Sequence, residues 1–243
     1  MTSAWPDLTA GPGIEAAVEE ARDALAALAL HPTNRRGWPT SAAAAGIRAA
    51  RASAALDGGD PGLDSEVDVV TDPVLAGAIR CSAAVGTLAP VFGRAPLQAL
   101  ARLHTLAAAD LTEPADLGRP VADPEIAGRL SGIAAMVAGS RWPAPILVSV
   151  VHAEIAVLEP FRGGNGVVAR AAARLAAVHT GLDPHALGVP EVACLRRGDR
   201  YRELLDGYRS GAAGALDAWL LFGCQALTAG AREGRSIADA QRG

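Results

Sequence analysis

The chain of 243 residues is 50% hydrophobic and 20% charged, which allows a substantial core and excludes a disordered composition. Its formal net charge is −4 and all 22 basic residues are arginine, which argues against broad nucleic-acid binding and leaves arginine or backbone N–H groups to hold any phosphate. Cys81, Cys194 and Cys224 are odd in number and far apart, so they make neither a C-x-x-C pair nor a disulfide framework; the start, Met1 to Asp7, lacks the basic residues and apolar run of a secretory signal, and we expect a cytoplasmic protein with reduced thiols and no membrane partner.

In chain order, Ile14 to Leu30 is rich in Ala and Leu, with Glu15, Glu19 and Glu20 placed early, where a helix dipole favours acids. His31 to Thr40 contains two prolines and is expected to break the chain. Ser41 is a fitting N-cap for a helix over Ala42 to Leu56, which Gly58-Gly59 stops. Asp60 to Asp72 is acidic and loop-like. Pro73 to Phe92 and Ala95 to Ala109 read as helices separated by Gly93, Leu111 to Ala122 as an exposed loop, and Asp123-Pro124 as the cap and first-turn proline of a helix over Glu125 to Ala138. Pro145 to Leu158 carries apolar residues over most of its surface and is expected at the centre; no uncharged apolar run reaches the length of a membrane span. Gly164 to His179, Arg200 to Tyr208 and Ala212 to Arg232 complete the set. No segment alternates like a strand, so the chain is predicted to be all-α. The expected organisation is a helical extension over 1–40, a separate helix over 41–60, the main helical domain over 61–232 and a mobile polar tail over 233–243.

The stretch LEPFRGGNGVVARAAARL, Leu158 to Leu175, sets three glycines and an asparagine at the mouth of a helix. A helix start presents unpaired N–H groups and partial positive charge, and glycines let the backbone bend through positive φ and admit a ligand closely. Such a turn is a candidate anion cradle, with Asn165 holding the turn and Arg170 reaching back from the first turns of the helix. The same residues also suit a tight helix–helix corner with Arg170 solvated.

Glu159-Pro160-Phe161-Arg162-Gly163-Gly164-Asn165-Gly166-Val167-Val168-Ala169-Arg170 resembles the signature of the Fic (Fido) family, His-Pro-Phe-x-[Asp/Glu]-Gly-Asn-Gly-Arg-x-x-Arg. The likeness extends over about Ala42 to Arg209. It implies a Fic-like helical bundle with the signature loop between two central helices. It further implies a nucleotide triphosphate at that loop and transfer of AMP to a hydroxyl of a target protein, with self-association common. In the family the His is the general base, the acid holds Mg²⁺, both arginines bind phosphate and the Phe anchors the loop.

Three positions depart from that pattern: Glu159 replaces the His, Gly163 the metal-binding acid and Val167 the first arginine. A carboxylate with an ordinary pKa near about 4.3 is a weaker base than imidazole near about 6.5. A positioned base contributes about 10²–10⁴-fold, and Gly163 offers nothing to Mg²⁺, so Mg²⁺ is not expected there. The leading expectation is a degenerate Fic-type protein that has lost or strongly reduced AMP transfer. It would still bind ATP, another nucleotide or phosphate through Gly163, Gly164, Asn165, Gly166 and Arg170, with Phe161 as loop anchor. The alternatives are a divergent nucleotidyl or phosphoryl transferase using Glu159, and a ligand-free helical module that binds a partner protein. Ser53-Ala54-Ala55-Leu56-Asp57-Gly58 is similar to the family's inhibitory helix motif, [Ser/Thr]-x-x-x-Glu-[Gly/Asn], with Asp57 in place of Glu. In the family that acid pairs with the second arginine, here Arg170; the alternative is a helix end with a solvent-facing Asp57.

Other residues read as structural. His152-Ala153-Glu154 lacks the P-C-x-x-C half of a zinc deaminase, and the spacing of His179 and His185 matches no zinc arrangement. His104 sits in an apolar helix. Arg196, Arg197, Arg200 and Arg202 alternate with acids, as on a solvated helix face, and Trp38, Trp142 and Trp219 are expected in the core or between helices.

Overall fold

The computed structural model describes residues 7–62 and 70–241, so the signal-peptide reading at residues 1–6 and the middle of the acidic loop lie outside the described residues. Among the described residues the chain forms ten α-helices and no strand: α1 (Ile14–Ala29), α2 (Asn34–Leu56), α3 (Pro73–Arg94), α4 (Pro96–Ala107), α5 (Pro124–Gly139), α6 (Ala144–Leu158), α7 (Asn165–His179), α8 (Pro190–Arg196), α9 (Gly198–Ser210) and α10 (Ala215–Ala240). The starts follow from local chemistry. Asp72 accepts from the Leu75 N–H and Asp123 from the N–H groups of Glu125 and Ile126, each followed by a first-turn proline whose missing N–H costs the helix nothing.

The bundle is organised around α6 and α7. In α6, Ile146, Val150, Val151 and Ile155 are buried among helices on all sides. In α7, eleven of fifteen residues are buried, and its alanines let α3, α4 and α6 approach closely. α3 is long and apolar enough by composition to cross a membrane. Here it packs on α2, α4 and α7 through Leu75, Val85 and Phe92, while Arg80 at its middle donates to the Leu106 carbonyl and pairs with Asp110.

Three expectations need correction. The break after α1 is shorter than His31 to Thr40: α2 begins at Asn34 and carries Pro39 inside it, so the boundary at 40–41 falls within a helix. The residues before 40 are no separate extension, because Ile14, Val18, Ala21, Leu25 and Leu28 of α1 join the main core against α10. Residues 233–240 are no mobile tail either: α10 continues to Ala240, with Ile237 and Ala238 buried, and residues 242–243 lie outside the described residues. Gly234, which reads as a helix weakener, sits where a Cβ would collide with the Leu187 carbonyl, so close packing explains it. Helix α8 was not anticipated. Trp219 is in the core, whereas Trp38 is 39% exposed and stacks on His185.

Candidate functional site

The signature stretch is a six-residue loop between α6 and α7. Glu159 caps α6 in the left-handed region (φ 47°, ψ 55°), and Gly163 and Gly164 follow at φ 77° and 66°, conformations that cost a side-chain-bearing residue about 1–2 kcal/mol. Phe161 is buried and stacks face to face on His104, ring centroids 4.4 Å apart. Asn165 clamps the loop reciprocally: its Oδ1 accepts from the Phe161 N–H at 3.0 Å and its Nδ2 donates to the Phe161 carbonyl at 2.7 Å. His104 forms the floor. Its Nδ1 accepts from the Gly118 N–H at 2.9 Å, so its Nε2 carries the proton and donates to the Arg162 carbonyl at 3.2 Å. Burial lowers its pKa against the pull of those carbonyls, which keeps this tautomer neutral. The loop is therefore held from beneath by side chains, and among the described residues the N–H groups of residues 163–167 engage no acceptor.

Arg170 does not reach solvent. It is 3% exposed, and every guanidinium nitrogen has a partner. Its Nε donates to Ser53 Oγ at 2.8 Å. One terminal nitrogen donates to the Ser53 carbonyl at 3.0 Å and pairs with Asp57 Oδ1 at 2.8 Å, and the other reaches the Tyr201 hydroxyl at 3.4 Å. Asp57 also lies against the start of α7, where a Cβ on Gly166 would collide with both of its carboxylate oxygens. The Asp57 carboxylate thus fills the space between the start of α7 and the Arg170 guanidinium. Burial opposes the charge on Arg170, but Tyr201 and Asp57 outweigh it and push its pKa up.

Behind Arg170 the polar chain continues inward. Burial, with Arg170 nearby, drives His152 down to about 3, so the imidazole is neutral. Arginine can only donate; the Tyr201 oxygen therefore accepts from Arg170 and its O–H donates to His152 Nε2 at 2.9 Å. Burial raises Tyr201 to about 12, in keeping with a phenol that stays protonated. One turn along α7, Arg174 is also buried. It donates to the carbonyls of Gly188 and Ala186, both at 2.8 Å, and pairs with buried Glu191 at 3.3 Å.

The sequence-derived residues divide into two groups. Ser53, Asp57, Gly166 and Arg170 meet, and Phe161 and Asn165 shape the loop. Gly58 only ends α2, at φ 80° and in open space. Glu159 stands at the outer rim, 62% exposed, and pairs with Arg209 at 3.2 Å. Gly163 is exposed, with nothing closer to its Cβ position than Leu111 at 4.0 Å. Sequence reasoning missed Arg174 and the inward face of Tyr201, whose neighbours Arg200 and Arg202 do pair with Glu203 and Asp199 on the solvated face. A clue was present: Arg174 recurs four residues after Arg170 on an otherwise apolar helix face.

No family model matches the sequence, and no curated protein matches it. Solved structures do. A Fic family protein from Desulfovibrio desulfuricans G20 superposes with a TM-score of 0.72 at 19% identity, covering 97% of this chain and 77% of that one. Fic-1 from C. elegans superposes with a TM-score of 0.69 at 15% identity, covering 92% of this chain and 71% of that one. The chain has the Fic fold. At these identities the likeness is one of fold, so chemistry has to be argued from the residues present.

A phosphate at the start of α7 would have to displace Asp57, whose carboxylate takes the space against Gly166 and Arg170; the N–H groups left without acceptors would then be open to it. Gly163 cannot ligate Mg²⁺, and among the described residues no three His, Cys, Asp or Glu side chains converge.

Proposed function

We infer that this chain is a degenerate relative of the Fic protein adenylyltransferases: it binds a nucleotide or phosphate weakly at the Gly163–Gly166 turn, does not transfer AMP efficiently, and is held closed by Asp57. The observation that carries this reading is the Arg170 guanidinium saturated by Ser53, Asp57 and Tyr201, with the Asp57 carboxylate against Gly166. A shorter acid does reach, because the end of α2 lies directly over α7. Supporting the loss of transfer, Glu159 pairs with Arg209 at the exposed rim, and Gly163 and Val167 offer no charge to a triphosphate.

Labelled ATP tests the reading. Neither the chain nor a cell extract containing it should become labelled at a useful rate, with or without Mg²⁺ or Mn²⁺. Asp57→Ala should bind ATP about tenfold more tightly, the equivalent of one good charge-assisted contact. Strong labelling that Glu159→Ala abolishes would overturn it in favour of a divergent transferase. That rival draws on one observation, the exposure of the Glu159 carboxylate at the loop mouth.

A further inference from the structure

Helix α2 carries Ser53 and, just past its end, Asp57, two of the three residues that occupy Arg170, so whatever holds α2 in place bears on that contact. The buried residues of α2 are almost all small: Ala45, Ala49, Ala50, Ala52, Ala54, Ser41 and Ser53. Each alanine methyl contributes at most about 0.8 kcal/mol of burial, far less than a buried leucine. α2 packs chiefly on α3 and α8, and a further set of polar ties joins its first half, and the turn before it, to the end of α10. Thr33 Oγ1 donates to the Ala238 carbonyl at 3.0 Å, His31 Nε2 meets Asp239 Oδ1 at 3.0 Å, and Ser41 Oγ donates to Gln241 Oε1 at 2.9 Å. Arg48 pairs with Glu233. Between these polar ties, Ile237 packs on Ala45, Ala49 and Val189 in a small cluster separate from the main core.

Three of these contacts, at Ser41, Ala45 and Ala49, lie on one winding stripe of α2. Ser41, Ala45, Ala49, Ser53 and Asp57 are each four residues apart and adjacent along the helix surface. The first three meet α10 and the last two meet Arg170. A helix transmits a displacement at one end to the other because its hydrogen-bonded backbone bends little over a few turns.

We propose that residues 236–241, the last turns of α10, clamp α2 over Arg170, so that their release opens the anion site. The clamp is a regulatory element of the site and rests on the reading that Asp57 occupies the phosphate position. A protein that captures the end of α10, or a cut before it, switches the site from closed to open without touching the loop.

The test uses a chain ending at Arg235 and, in case that chain does not fold, the full-length variant Ile237→Asp. Both should keep the helical circular dichroism of the parent. Amide exchange of residues 45–57 should accelerate at least about tenfold while α6 and α7 stay protected, the signature of local opening. Binding of ATP should tighten in the same direction as in Asp57→Ala. Unchanged exchange of α2 in a folded variant overturns the clamp. Faster exchange without tighter ATP binding, where Asp57→Ala does tighten it, overturns the coupling between clamp and site. Faster exchange with no response to ATP in any variant, Asp57→Ala included, upholds the clamp on α2 and instead sinks the reading of the site as a closed phosphate pocket.

Discussion

Arg170 and Arg174 stand one turn apart on α7, and both are buried, yet they are held in different ways. Arg174 is held by two backbone carbonyls of the α7–α8 connection and by buried Glu191, all on elements that belong to the core. Arg170 is held by the side chain and carbonyl of Ser53 on α2, by Asp57 just past the end of α2 and by Tyr201 on α9, with its acid partner 26% exposed. The same cation on the same helix is a structural pin in one place and an exchangeable contact in the other. Partner identity, more than burial, separates the two roles: a carbonyl cannot be replaced by a ligand without unfolding its segment, whereas a partly accessible carboxylate can be replaced by another anion.

The comparison breaks most plainly at the pin. Arg174→Ala should cost about 4 kcal/mol in urea unfolding, because it strands Glu191 in the interior, and ATP binding should not improve. Phe161→Ala should cost about 3 kcal/mol and lose the phosphate site together with the loop, since the ring that stacks on His104 leaves a cavity under the turn. Asp57→Ala should cost only about 1–2 kcal/mol, since Ser53 and Tyr201 remain on Arg170, and it alone should trade stability for ATP affinity. A cost as large as that of Arg174→Ala with no gain in binding would make the two arginines equivalent.

The inner end of the Arg170 chain can be read by pH. His152 is neutral when folded, and its pKa lies near 3 in the protein against about 6.5 when unfolded. The unfolded chain therefore takes up the proton first. This contribution to stability is intact above about pH 6.5 and is lost progressively as pH falls towards 3. Between pH 6 and 5, His152→Asn should flatten the fall in stability by about 1 kcal/mol per pH unit, whatever its effect at neutral pH. The smallest effect is expected at the rim. Glu159→Gly relieves a left-handed φ but loosens the unfolded chain, so stability should rise by only about 0.5 kcal/mol. A loss there would mean that the Arg209 pair outweighs the backbone strain.

The loop was legible in the sequence because its logic is local. Asn165 reaches Phe161 four residues back, and Gly163 and Gly164 sit where φ is positive, so residue type and spacing fix the turn. The contact of Arg170 with Ser53 spans 117 residues, and only a resemblance to a known motif could suggest it. Arg174 was opaque for a different reason: two of its acceptors are backbone carbonyls, which carry no side-chain signature. The polar end of α10 misled because composition reports solubility, and Ile237, Gly234 and the ties to α2 become meaningful only once α1, α2 and α8 are in place.

Apolar periodicity, capping residues and the glycine turn determined by themselves that this chain is a helical bundle with a rigid loop ahead of a central helix, since those signals act within a turn or two of backbone. Tertiary structure decided which charge enters the turn, because a buried arginine must be neutralised by whatever acid the packing brings within reach, and here that acid arrives on α2.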